Sequence, residues 1–171
     1  FICLENLDKL YNSALSKNSA FVLEGISGNV TNTDIELSSC NHFMGCKKNS
    51  SIMKEYFQYL EQLNSTDFTS NSDFDNSVNR WLDNKCMQGQ IHKVSGEMIG
   101  TANKNGKPII LDELMSNHSL NLHDKCYGIY IPSKEILRRT KYEWFARMSF
   151  AQLLSCDVIL CKHLLLSNKL N

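Results

Sequence analysis

The sequence predicts an α+β fold: a small, mostly antiparallel sheet with helices packed on one face and a long, buried C-terminal helix. Three observations predict it. Residues 133–166 run without a Gly or a Pro, and Ile136, Leu137, Phe145, Met148, Leu153, Cys156, Leu160 and Leu164 recur near the three-to-four spacing of one helical face. Asn105-Gly106 stands between apolar runs, which is a strong short-range hairpin signal. The predicted helices and strands cluster separately instead of alternating as βαβ units.

Taken in order, Leu4, Leu7, Leu10, Tyr11 and Leu15 share the face of a first short helix. Ala20-Phe21-Val22-Leu23 reads as a strand closed by Gly25 and Gly28, and Asp34-Ile35-Glu36-Leu37 alternates as a second. Residues 40–48 read as irregular. Ser50 or Ser51 then caps an amphipathic helix over 52–63, with Ile52, Met53, Tyr56, Phe57 and Leu60 facing inward. The polar run at 64–79 reads as a solvated loop, and 77–87 as a short helix with Val78, Trp81, Leu82 and Cys86 inward. A hairpin is expected over 90–111, with Pro108 at its edge because proline cannot donate to a ladder. A last strand over 126–131 leads through Pro132 and the N-capping Ser133 into the long helix. From Trp144 onward that helix is apolar most of the way round, which places it in the middle of a fold.

Length and charge bound the function classes. At 171 residues, 42% of them hydrophobic, the chain is long enough for one domain with a sizeable core, taken as 1–171. Lys plus Arg and Asp plus Glu both number 18, so the net charge is zero and no general cationic field favours nucleic acid or anionic lipid. The apolar window at 144–166 has the length of a bilayer span but carries Arg147, Asp157, Lys162 and His163. Each charge near the centre of a span costs about 2.5–3.5 kcal/mol, so a core helix is expected rather than a membrane span. Phe1-Ile2-Cys3-Leu4 is followed at once by Glu5, with no basic leader segment. Seven scattered cysteines, an odd number, suit reduced thiols better than a disulfide framework, and the expected setting is intracellular, cytoplasmic or nuclear.

Two groups of residues offer chemistry. Cys40, His42 and Cys46, with His118, His123 and Cys126 later, are residue types that zinc selects, but no C-x-x-C pair exists, so no metal and no cofactor is assigned. The same region offers a thiol nucleophile: Cys40 or Cys46, with His123 as base and Asp124 to orient it, or with His92 as base, the arrangement of a cysteine-dependent hydrolase or transferase. The second group is Arg138, Arg139, Lys141, Tyr142, Trp144 and Arg147, basic residues interleaved with aromatics at the start of the predicted long helix. Such a surface can hold a macromolecule, although Glu135 pairing with Arg139 at i, i+4 would make part of it a plain solvated face.

The spacing Trp81-Leu82-x-x-x-Cys86-x-x-Gly89-x-Ile91 resembles the last helix of phosphopeptide-binding BRCT modules. The apolar strand and the Gly-Gly turn of that pattern are missing, so Trp81 is read as a core anchor. No phosphate loop, dinucleotide fingerprint or metalloprotease motif is present. The expectation is a protein-binding or regulatory domain that uses the basic-aromatic surface, with the cysteine-dependent enzyme as the alternative.

Overall fold

A computed structural model of the chain describes residues 2–27, 36–63, 68–131 and 140–167. The chain divides into two compact units, Leu7–Gly96 and Phe1–Asn6 with Glu97–Asn171.

The unit Leu7–Gly96 is built on a three-stranded sheet of order β3-β2-β4, where β2 is Ala20–Ser27, β3 is Glu36–Cys46 and β4 is His92–Val94. β2 pairs antiparallel with β3 and parallel with β4. Alternation along β2 sends Phe21 to one face and Ala20 and Val22 to the other. Helix α1 (Leu7–Lys17) covers the first face, with the Tyr11 ring edge-on to Phe21 at 5.2 Å. Gly45 lies beneath these rings. A Cβ there would stand 2.2 Å from Phe21 Cε1 and 3.0 Å from Tyr11 Cε1, so only glycine lets both rings reach the sheet. Helices α2 (Ser51–Gln62) and α3 (Asn71–Met87) cover the second face. There Ala20, Val22, Ile52, Val78, Leu82 and Ile91 form one buried cluster. Trp81 of α3 stacks on Tyr59 of α2 at 5.3 Å and contacts Tyr56, and the Tyr59 hydroxyl donates to the Ser77 carbonyl. Trp81 is thus a packing anchor, as the sequence suggests. Helices lie on both faces of this sheet, not on one as expected.

The second unit is made of short pieces. β1 (Ile2–Cys3) pairs antiparallel with β5 (Gly128–Ile129). Helices α4 (Gly96–Ile99) and α5 (Leu111–Leu114) are single turns, and the division between the units falls at the first residue of α4. After a 3-10 turn at Thr140–Tyr142 come α6 (Glu143–Ala146), α7 (Phe150–Ser155) and α8 (Ile159–Ser167). Ile2, Ile109, Leu111, Leu114, Ile129, Tyr142 and Leu160 form its core.

Three expectations are corrected here. The long buried C-terminal helix is absent from the described part of its span, and residues 132–139 lie outside the described residues. Ser149 starts a new helix instead: its hydroxyl accepts from Gln152 N–H while its own N–H donates to the Gln152 side chain at 2.8 Å, a capping box that competes with continuation. Cys156 is then extended and ends α7. Among the described residues of this stretch Tyr142, Ile159, Leu160 and Cys161 are deeply buried, whereas Phe150 and Leu154 are 64% and 57% exposed. The polar run at 64–79 is helical from Asn71, because Ser70 caps α3 by accepting from Asp73 N–H; residues 64–67 lie outside the described residues. Residues 40–46, expected to be irregular, continue β3 through a bulge that places three extra residues between the partners of Val22 and Leu23.

The hairpin expected over 90–111 shrinks to one bridge, Ala102 to Pro108. Its turn falls where predicted, but Gly106 alone, at φ +74°, is left-handed there. The Gly106 N–H reaches the Asn103 carbonyl and the Asn103 N–H reaches the Lys107 carbonyl, a three-residue loop with a glycine bulge instead of a two-residue turn. Among the described residues no helix is long and apolar enough to cross a membrane.

Candidate functional site

The basic-aromatic stretch separates into two parts. Tyr142 is 4% exposed, and its hydroxyl donates a short hydrogen bond to Asp112 of α5. Lys141 Nζ bonds the other Asp112 oxygen at 3.2 Å and lies 5.1 Å from the Tyr142 ring centre. Burial, and then the hydrogen bond to Asp112, push the Tyr142 phenol above its ordinary range. These two residues tie the C-terminal segment to α5, and Tyr142 offers little surface to a partner.

Trp144 and Arg147 face outward. With Glu143, Met148 and Gln152 they line a groove of about 480 Å³. Arg147 pairs with Glu143 one helical turn earlier, an exposed i, i+4 ion pair of small intrinsic value that holds both side chains at the rim. Trp144 is 44% exposed and packs edge-on against Phe145. On α7, which follows directly, Phe150 and Leu154 are spaced i, i+4, the spacing of side chains on one helical face. Arg138 and Arg139 lie outside the described residues.

The alternative site is divided between the units. Cys40 and Cys46 are on β3 in Leu7–Gly96, while His123 and Asp124 belong to Glu97–Asn171. Cys40 packs against Gly25, where an added Cβ would lie 2.7 Å from Cys40 Cβ, and Cys46 is exposed opposite Ala20. His123 Nδ1 accepts from Lys125 N–H at 3.0 Å, and its carbonyl accepts from Cys126 N–H, so this histidine closes a turn. Burial raises the thiols of Cys86, Cys126 and Cys161, the last to about 12 with Cys156 as its neighbour, which makes them poor nucleophiles. Among the described residues no three His, Cys, Asp or Glu side chains converge as metal ligands.

A polar cluster that the sequence reading misses lies where α3 meets β3. Asp83 Oδ1 accepts from Lys93 Nζ at 2.8 Å, from Ser39 Oγ at 2.7 Å and from Ser39 N–H at 3.1 Å. Burial alone would raise the Asp83 carboxyl, but the bonds from Lys93 and Ser39 outweigh it and hold the group below its ordinary range. Lys93 is raised in the same way: burial opposes its charge, and Asp83 more than restores it. The signal for this cluster is the four-residue spacing of Asp75, Asn79 and Asp83, which is informative only once the helix is known to begin at Asn71. A cavity of about 430 Å³ that shares Lys93 with this cluster is lined also by Lys17 and His92, with no acidic group in its lining. Lys17 sits in the last turn of α1, where a cation complements the helix dipole, and that accounts for its position.

No protein-family model, curated protein or solved structure matches the chain.

Proposed function

We propose that this chain is a protein-binding module that contacts its partner through the Trp144–Arg147 groove and the apolar face of α7. One observation carries the reading: within eleven residues Trp144, Phe150 and Leu154 stand 44%, 64% and 57% exposed. Burying a large apolar side chain is worth about 1.5–3 kcal/mol, so leaving three of them in water has a recoverable gain on binding. Aromatics and arginine are also the residue types that dominate interface energies, with a charged rim around them. Glu143 and Arg147 supply such a rim. Seven free cysteines agree with an intracellular, reducing setting, and regulation by occupancy of this surface is the role it would serve.

The test compares three proteins in quantitative affinity capture: the unaltered chain, Trp144→Ala with Phe150→Ala, and Phe57→Ala with Met87→Ala. Phe57 and Met87 are apolar residues of the other unit, 58% and 78% exposed. Recovery of specific partners should fall at least about tenfold in the first variant, since hot-spot truncations cost about 2 kcal/mol or more. It should hold in the second. An unchanged partner set in the first variant, with its circular dichroism intact, would refute the assignment.

A further inference from the structure

β3 is the outer strand of its sheet, and an outer strand presents alternate N–H groups away from its neighbour, free to template another chain. Proteins usually blunt such an edge with Lys, Pro or inward charges. Residues 37–46 contain none of these: there is no Asp, Glu, Lys, Arg or Pro between Leu37 and Cys46. A bulge at residues 41–43 interrupts the strand, and the rest of the protection comes from another element. Ser39 N–H donates to Asp83 Oδ1 and Asn41 N–H to Asn79 Oδ1, each at 3.1 Å, and the Asn41 side-chain amide donates to Asp75 Oδ1 at 2.9 Å.

The two periodicities match. Outward N–H groups recur every second strand residue, about 6.6–6.8 Å apart. Side chains four apart on a helix recur about every 6 Å. Asp75, Asn79 and Asp83 form such a row on α3: Asn79 and Asp83 accept from two backbone N–H groups of β3, as the carbonyls of a fourth strand would, and Asp75 accepts from the Asn41 side-chain amide. The neighbouring row, Val78 and Leu82, is completely buried in the core and fixes the helix in place. Lys93, at 2.8 Å, keeps Asp83 ionised as an acceptor.

We propose that α3 acts as a surrogate edge strand that guards β3, and that the site it covers is a self-pairing surface whose occupant, once the row is broken, is β3 of a second copy of this chain. An antiparallel pair about a two-fold axis would set the same uncharged segment against itself, so no like charges oppose it. This proposal concerns a different unit from the aromatic groove and does not depend on it.

The test is Asn79→Ala with Asp83→Ala, followed by light scattering at rising protein concentration and by thiol cross-linking with mass spectrometry. Concentration-dependent dimers joined Cys40 to Cys40 are expected, because Cys40 lies between the two freed N–H groups. Leu82→Ala is the control for mere loss of stability: it weakens the core and leaves the acceptor row in place, and it should stay monomeric wherever it is folded. A double variant that folds and remains monomeric overturns the proposal, as does equal association by Leu82→Ala. If the double variant does not fold, Asn79→Ala alone decides the matter. That change frees one N–H and should give weaker Cys40-to-Cys40 dimers; their absence overturns the proposal equally.

Discussion

The two units solve the same burial problem with different parts. Leu7–Gly96 uses an 11-residue strand and helices of 11, 12 and 17 residues. In Glu97–Asn171 the described helices of the C-terminal stretch have 4, 6 and 9 residues. A long helix presents one continuous stripe to a sheet, so its apolar side chains find cover together. Short helices change direction after each turn or two, and each change leaves some apolar side chains facing water. The difference teaches where to look for contact surface: Trp144, Phe150 and Leu154 are exposed because the segment bearing them is broken at Ser149 and again at Cys156.

The largest effects should come from truncating the two cores. Leu82 and Leu160 are each completely buried, one in each unit. Leu82→Ala and Leu160→Ala should each cost about 2–5 kcal/mol, the range for large-to-small changes in cores. Hydrogen exchange read residue by residue sharpens the comparison. Leu82→Ala should speed exchange in β2 and α3, and Leu160→Ala should speed it in β5 and α8. Equal acceleration across both units in either variant would show that the division into units has no energetic meaning.

A smaller effect is expected at Gly45, where the long-element unit depends on one missing side chain. Gly45→Ala drives a methyl group into the Phe21 ring, with Tyr11 behind it. Overpacking of this kind typically costs about 1–3 kcal/mol. Replacing Phe21 by Leu in the same chain should recover part of the loss, since it removes the ring atoms that the methyl meets. A Gly45→Ala protein as stable as the parent would mean that α1 can shift off the sheet cheaply, and that this face is looser than the opposite one.

How far the fold could be read follows the same contrast. The bounds of the helix over Ser51–Gln62 were legible, because Ile52, Tyr56 and Leu60 face the core at helical spacing after a serine, but Phe57, expected inward, is 58% exposed. The first turns of α3 were not legible. Asp75 and Asn79 look like loop residues because Asn79 faces the Asn41 N–H and Asp75 the Asn41 side-chain amide, and that demand can be read only from the strand beside them. Residues 40–46 failed as a strand for a related reason: the bulge breaks the alternation, and Gly45 is required by Phe21 and Tyr11, two residues far away in sequence. At the C-terminus apolar content points to burial, yet a local cap at Ser149 breaks the helix and leaves Phe150 and Leu154 exposed. The candidate site was half legible. Trp144 and Arg147 do line one groove, whereas Tyr142 turns inward to Asp112, a partner that no spacing rule points to. Of the thiol site, Cys40, Cys46 and His92 belong to Leu7–Gly96, while His123 and Asp124 belong to the other unit, a division that no sequence spacing announces.

The smallest expected effect separates the units by pH. His163 of α8 has a buried Nδ1 with no hydrogen-bond partner, and burial holds its pKa below the ordinary histidine value. His92 of β4 is lowered too, by burial and then by the nearby Lys17 charge. For either histidine the unfolded chain takes up a proton near pH 6.5 while the folded chain still resists it. The unfolded state therefore binds more protons in that window, and stability falls as pH drops from about 6.5 to the lower folded value, then levels off. One site can supply a slope of at most about 1.4 kcal/mol per pH unit. Hydrogen exchange at two pH values, near 7.5 and near 5.5, should show both units weakening on acidification. His163→Leu should remove the loss in β5 and α8 and leave that in β2 and α3, and His92→Gln should do the reverse. If the acid loss in α8 survives His163→Leu, the unpaired imidazole is not its source, and the short-element unit owes its acid sensitivity to its carboxylates instead.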